Sequence, residues 1–299
     1  MTEKITDTST SFNETLPRVS EWKRFQRVFL QRKVVLFGLI ILVLLIITAI
    51  LSPFLAPFDP YQNNLKESLQ QPSWNHFLGT DLQGRDTLSR LIYGSRTALI
   101  VGFGSVLLAG VVGITLGMVA GYVGGITNMI IMRIMDALMG FPMILLALVI
   151  AAVLGSGLHN VIIALSVATL PGYARVMHGL TLTIRENDFI LAQHSMGASR
   201  VRTMFWHILP NGLPPMIVLI TLQLGALILA EAGLSFLGLG ISPGEAAWGA
   251  MVSDGRRYLL TYPWLSLAPG FAIMLVVFAF NLVGDGLRDA LDPRLRGLI

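Results

Sequence analysis

Apolar positions along the chain come in long unbroken runs rather than in strict alternation. Stretches free of Asp, Glu, Lys and Arg cover 34–58, 97–132, 137–174, 203–230 and 258–284. Each suffices to cross a bilayer as a helix, because about 20 residues cover a hydrocarbon core of ~30 Å. The second and third are too long for one span. Each holds a turn signal, Gly124-Gly125-Ile126-Thr127-Asn128 in one and Gly155-Ser156-Gly157 in the other. With Asp136 tolerated near one end of the third helix, the pattern predicts six spans, at 34–52, 98–120, 128–154, 159–179, 214–237 and 266–286. The expected fold is all-α and polytopic, with both termini on one side. Ala109, Gly113, Gly117 and Gly121 recur at every fourth position of the second span and make a smooth ridge for close helix packing. Pro142 removes a backbone donor and crowds the preceding turn, so it is expected to weaken or bend the third span.

Composition agrees with this reading. Only 13% of the 299 residues are charged while 54% are hydrophobic, too little charge for the surface of a water-soluble enzyme of this length. The net charge of +4 does not point to nucleic acid, because the basic residues lie mainly beside the spans. Fifteen Lys and Arg fall in the segments on the side of the N-terminus and six in the two large loops opposite. Basic segments stay in the cytoplasm, which predicts both termini inside. The first 20 residues read as a disordered tail. Residues 21–33 set Trp22, Phe25, Val28 and Phe29 among Lys23, Arg24, Arg27, Arg32 and Lys33, the pattern of a basic amphipathic helix on the inner membrane surface. Residues 34–299 then form the transmembrane domain, with outer loops at 53–97 and 239–265 and an inner loop at 180–213. A removable signal peptide is not expected, since the first apolar run reaches Ser52-Pro53 without an Ala-x-Ala type of site.

Several chemistries are excluded or weak. There is no cysteine, hence no disulfide or thiolate metal site. All four lysines precede residue 67 and none follows a glycine-rich loop, so the chain has no phosphate-binding loop and any nucleotide energy must come from a partner. The five histidines are scattered, which makes a metal site improbable. Ser235 in Gly233-Leu234-Ser235-Phe236 resembles the short element of intramembrane serine proteases, but such a serine needs a histidine base within reach. Ionisable groups in spans are functional candidates by default. Asp136 and Glu231, with Pro142, are therefore the candidates for gating or a solute path, against a structural role as partners of Arg or of free backbone groups.

The inner loop carries the most information. Asn187 to Asn211 reads as two short helices, with Asp188 capping the first, Gly197 ending it in the left-handed conformation, and Ser199 capping the second. Pro210 and Pro214 are expected to close the unit before the fifth span. Phe189, Ala192, Gln193 and Met196 share one face of the first helix, with Ile190 and Leu191 off it, a segment too apolar to be left in water. This loop resembles the coupling loop of permease subunits in bacterial ATP-binding-cassette importers, whose motif is Glu-Ala-Ala, three residues, Gly, nine residues, then Ile-x-Leu-Pro. Ala192, Gly197, Leu209 and Pro210 match it; Leu191, Gln193 and His207 depart from it. His76 to Leu91, Glu231 to Gly240 and Asp292-Pro293-Arg294 resemble further signatures of the dipeptide, oligopeptide and nickel permeases, specifically the second of their two permease subunits.

The resemblance implies a type I importer permease fold and a non-catalytic half of a pore for short peptides, dipeptides or oligopeptides, in the bacterial inner membrane. Its implied partners are a homologous second permease, two cytoplasmic ATPases that bind the ATP and magnesium, an external solute-binding protein and the lipid bilayer. The implied ATPase contact is the loop 188–209, in particular Phe189, Leu191, Ala192, Gln193, Met196, Gly197, Ser199, Arg202, His207, Leu209 and Pro210.

Overall fold

The computed structural model describes residues 29–291 except Pro243. The expected tail at 1–20, most of the basic segment 21–33, and Asp292-Pro293-Arg294 lie outside the described residues. Helices dominate what is described: α1 (Lys33–Ile50), the short α2 (Ser52–Leu55), α3 (Thr87–Val123), α4 (Gly125–Met139), α5 (Met143–Leu154), α6 (Leu158–Arg185), α7 (Asp188–Ser195), α8 (Arg200–Thr203), α9 (Leu209–Phe236), α10 (Trp248–Gly255) and α11 (Trp264–Leu291).

The centre of the bundle is the pair α3 and α6. A Cβ on Gly113 would lie 2.8 Å from the carbonyl oxygen of Leu170, one on Gly117 2.1 Å from that of Ala174, and one on Gly121 2.8 Å from Cβ of Thr181. The Ser166 hydroxyl donates to the carbonyl of Ser105 at 3.1 Å. Residue numbers rise together along this seam, so α3 and α6 run parallel. The glycine ridge packs within the chain, backbone against backbone.

Two parallel helices need a crossing connection. Here α4 and α5 supply it, but they are not the single helix expected over 128–154: the axis turns by 91° at Gly140-Phe141-Pro142. Pro142 has no N–H to donate back and stands at the N-cap of α5, with Leu146 N–H bonded to its carbonyl at 3.0 Å. Legs of 15 and 12 residues are ~22 and ~18 Å long at 1.5 Å per residue. At a right angle they cover ~29 Å from end to end, about the thickness of a bilayer core. By length and composition the bent pair, taken as one broken span, makes a sixth crossing beside five unbroken ones.

Around this centre, α1 lies antiparallel to α11, with Gly38 against Ala279 and Leu282, Gly286 against Val35, and an ion pair between Arg32 and Asp289. The start of α1 and the end of α11 therefore share one end of the bundle, as an even number of crossings requires. α9 runs antiparallel to α3 and α11, placing Gly102 on Ile228 and Gly225 on Val277 and Phe280.

The fifth span differs from expectation as well. It does not begin at 214: a continuous apolar helical stretch runs from Arg200 to Phe236, through Pro210, Pro214 and Pro215. One wide π turn, Met204–Ile208, in which the N–H of Leu209 reaches the carbonyl of Met204, five residues back, leads into Pro210, while Pro214 and Pro215 stand inside the α-helix that follows.

Candidate functional site

Two assemblies of polar and exposed apolar groups stand at opposite ends of the bundle. At the first, α7 and α8 project beyond the ends of α6 and α9. The backbone N–H groups of Ile190 and Leu191 bond to the carbonyl of Asn187, so Asn187 takes the cap position and Asp188 is the first helical residue. Gly197 has φ +76, the left-handed region, and lets Ala198 N–H close back on the carbonyl of Gln193 at 3.1 Å. Ser199 caps α8 by accepting from the N–H of Arg202 at 3.4 Å.

What fixes α7 to the body is Ile190. It is 1% exposed and packs into a cluster of Met177, Ile184, Met204 and Ile208. With this one side chain turned inward, Phe189, Leu191 and Met196 (70% exposed) face outward, with Ala192 also exposed and Gln193 half-buried. Val201, Phe205 and Trp206 continue the exposed apolar surface along α8 and the π turn, and Ser199, Arg202 and His207 line the same open groove. Of the sequence candidates, Leu209 is half-buried and Pro210 exposed at the start of α9. A solvent-exposed surface this apolar is a surface for covering.

At the other end, residues 56–96 and 239–265 are tied into one cap. Asp86 caps α3 by accepting from the N–H and hydroxyl of Ser89, both at 2.7 Å, and meets Nδ1 of His76 at 2.8 Å. Arg85 donates to Asp81 at 2.7 Å. Arg90, 2% exposed, donates across to the carbonyls of Pro60 at 3.1 Å, Gly244 at 3.1 Å and Glu245 at 3.0 Å. The Trp248 indole donates to the carbonyl of Leu91 at 2.9 Å. Asp254 beside this cluster is held above the ordinary carboxylate range by partial burial, with Arg85 and Arg90 pulling the other way.

The gating candidates do not meet. Glu231, 2% exposed, accepts from the Ser235 hydroxyl at 2.7 Å, and that oxygen also accepts from the N–H of Ile241 at 3.3 Å. This junction holds the end of α9 against its following loop. Asp136 pairs instead with Arg175 of α6, and Pro142 forms the elbow beyond it. Three residues that matter here carry no local signal. Ile190 is one position off the expected face, Arg90 acts across 150 residues of chain, and Arg175 reads in sequence as one more basic residue near the inner end of a span.

The family described as binding-protein-dependent transport system inner membrane component matches residues 113–297, and the N-terminal TM domain of oligopeptide transport permease C matches 20–72. The dipeptide transport system permease protein DppC of Alkalihalophilus pseudofirmus is 44% identical over 93% of this chain and 91% of its own. The glutathione transport system permease protein GsiD of Pectobacterium atrosepticum is 41% identical over 92% of each. Among solved structures, an inward-facing form of the MetNI methionine ABC transporter aligns with TM-score 0.56 at 20% identity, over 68% of this chain and 96% of that one, a likeness of fold.

Proposed function

The chain belongs to the inner membrane components of binding-protein-dependent transport systems, and on that premise we propose that it forms half of a pore for short peptides, driven through the surface of α7 and α8. It is a permease subunit of an ATP-binding-cassette importer, a multi-span protein of the inner membrane and not itself catalytic, and such permeases work with ATPase and substrate-binding partners. The peptide class follows the relatives, whose names specify a dipeptide and glutathione, itself a small peptide. We assign the second half of the pore to a homologous permease, and ATP with its magnesium to two ATPases on the cytoplasmic side.

The observation that carries the coupling assignment is the exposure of Phe189, Leu191, Met196 and Trp206 around the buried anchor Ile190. An ATPase groove would cover these side chains, and closure of the ATPase pair would then move α7 with the helices behind it. ATP binding must favour one of two arrangements of the bundle for this to do work. Orientation follows from charge. Arg32, Lys33, Arg185, Arg200, Arg202 and Arg288 gather at the α7 end, which is therefore the cytoplasmic one, with both ends of the chain on that side.

Gly197→Asp tests this reading. A Cβ there meets no atom within 4 Å. The strain of a side chain at φ +76, about 1–2 kcal/mol and least for Asp and Asn, is confined to the turn between α7 and α8, so the variant should insert and fold while obstructing whatever docks on the loop. ATP-driven peptide uptake in vesicles should fall at least tenfold, with co-purifying ATPase reduced. Normal uptake by the variant, or transport by the purified chain alone on an ion gradient, would overturn it.

A further inference from the structure

One ion pair stands apart from the network of the outer cap. Arg175 on α6 donates to Asp136 on α4, yet the two side chains remain 50% and 48% exposed. Arg175 precedes Arg185 by ten residues, ~15 Å along the helix, and Arg185 marks the inner end of the bundle, where its guanidinium donates to the carbonyl of Gly121. Asp136 lies about one turn before the elbow at Gly140-Phe141-Pro142. The pair thus sits at the level of the spans, where charged side chains face the bundle interior or a water-filled cavity.

The surroundings choose between water and lipid. The side of α6 that carries Arg175 also carries Ala168, Gly172 and Gly179, and a Cβ on either glycine would meet no atom within 4 Å. The opposite side is buried, with Tyr173 and Ala174 against Gly113 and Gly117 of α3 and Met177 against Gly212 of α9. A lipid-type face in this chain looks different: α1 presents Val34, Phe37, Ile40, Leu44 and Ile47. On α6 the pair stands among small residues, and the large apolar side chains exposed beside it are Val176 and, on α4, Met129 and Met139. An ion pair on an open face lined on α6 by glycine and alanine is suited to water and to a moving solute.

We propose that Asp136 and Arg175 line the aqueous solute path and that the pair opens to receive a zwitterionic solute, Arg175 taking a carboxylate and Asp136 an ammonium group. This rests on the importer reading above and adds to it the class of ligand contact. The exchange replaces one charge-assisted bond with two of the same kind and leaves neither protein charge unpaired. Partial exposure gives the solute access to both groups, which a fully enclosed pair would deny it.

The chain has no cysteine, so Gly172→Cys and Gly179→Cys each mark one position in the assembled transporter. In vesicles open on the cytoplasmic side, a charged, water-soluble thiol reagent should modify both about tenfold or more faster than Ile40→Cys on the lipid-type face, since thiolate forms only where water reaches. Uptake of a dipeptide and of its C-terminal amide, each at saturating loaded binding protein, reads the ligand contact. Arg175→Gln should lower uptake of the free dipeptide about tenfold and that of the amide far less. The double variant Asp136→Arg with Arg175→Asp rebuilds the ion pair with its charges exchanged, and free-dipeptide uptake should stay low because the solute's carboxylate and ammonium then meet their partners in the wrong order along the path. Slow labelling, equal losses for the two peptides, or full recovery in the double variant would overturn the proposal. Absence of ATP-driven peptide uptake in the unmodified complex would strike the importer reading instead, and labelling would then decide the water-facing placement by itself.

Discussion

Gly117 shows how little room the α3–α6 seam leaves. A Cβ there would come 2.1 Å from the carbonyl oxygen of Ala174, a backbone atom that cannot rotate aside, whereas one on Gly110 of the same helix would meet nothing nearer than 3.8 Å. Gly117→Ala should therefore wedge the helices apart, and overpacking of this sort costs ~1–3 kcal/mol. Gly110→Ala should be neutral or slightly stabilising, because Ala exceeds Gly in helix propensity by up to ~1 kcal/mol. Thermal unfolding of the two purified variants in the same detergent should separate them in opposite directions, and equal midpoints would contradict the seam as described. The ridge itself was legible from the spacing of Ala109, Gly113, Gly117 and Gly121. Its partner was not, because a smooth stripe says that something approaches closely and nothing about which helix does.

Elements were legible where they depend on composition and hidden where they depend on compensation. The existence of the spans follows from charge-free length together with the two glycine turn signals. The right-angle break at Pro142 and the unbroken passage through Pro210, Pro214 and Pro215 do not, since a proline ends, bends or merely widens a helix according to what else can satisfy the freed carbonyls. Before Pro210 the answer is a π turn at 204–208, and it sits between the exposed apolar surface of α7 and α8 and the span that follows. Pro210→Ala should let this turn relax toward regular helix, restoring an N–H and removing the ring that crowds the carbonyl of Trp206. Losing the one surplus residue of a π turn rotates what precedes it by about 100° relative to α9, enough to turn Ser199 and Arg202 off their present face. The expected outcome is an inserted, thermally stable variant whose ATP-driven uptake falls several-fold. Unchanged uptake would mean that the π turn only accommodates proline.

Across the whole molecule, the two ends are built on different principles, and this predicts different failures. The α7 end holds one apolar anchor, Ile190, under an uncovered surface, whereas the opposite end is closed by buried polar bonds converging on Arg90. Those bonds join residues 60 and 244–245 to the start of α3, which ties the two loops at this end together. Arg90→Ala would leave the carbonyls of Pro60 and Glu245 without their donor, while Asp81 and the carbonyl of Gly244 keep Arg85, and each buried acceptor left unpaired costs about 1–3 kcal/mol. Arg90→Lys would keep the charge but not the planar fork that reaches several carbonyls at once, and should fall between. Hydrogen exchange should rise around 57–62 and 244–250 while the α7 end stays protected. Because α3 and α6 keep their own seam, ATPase partners should still co-purify with Arg90→Ala even as uptake fails, the reverse of the pattern expected for Gly197→Asp. Loss of ATPase association in Arg90→Ala would instead mean that the bundle depends on its outer cap to present the coupling surface, and that the two ends are one cooperative unit.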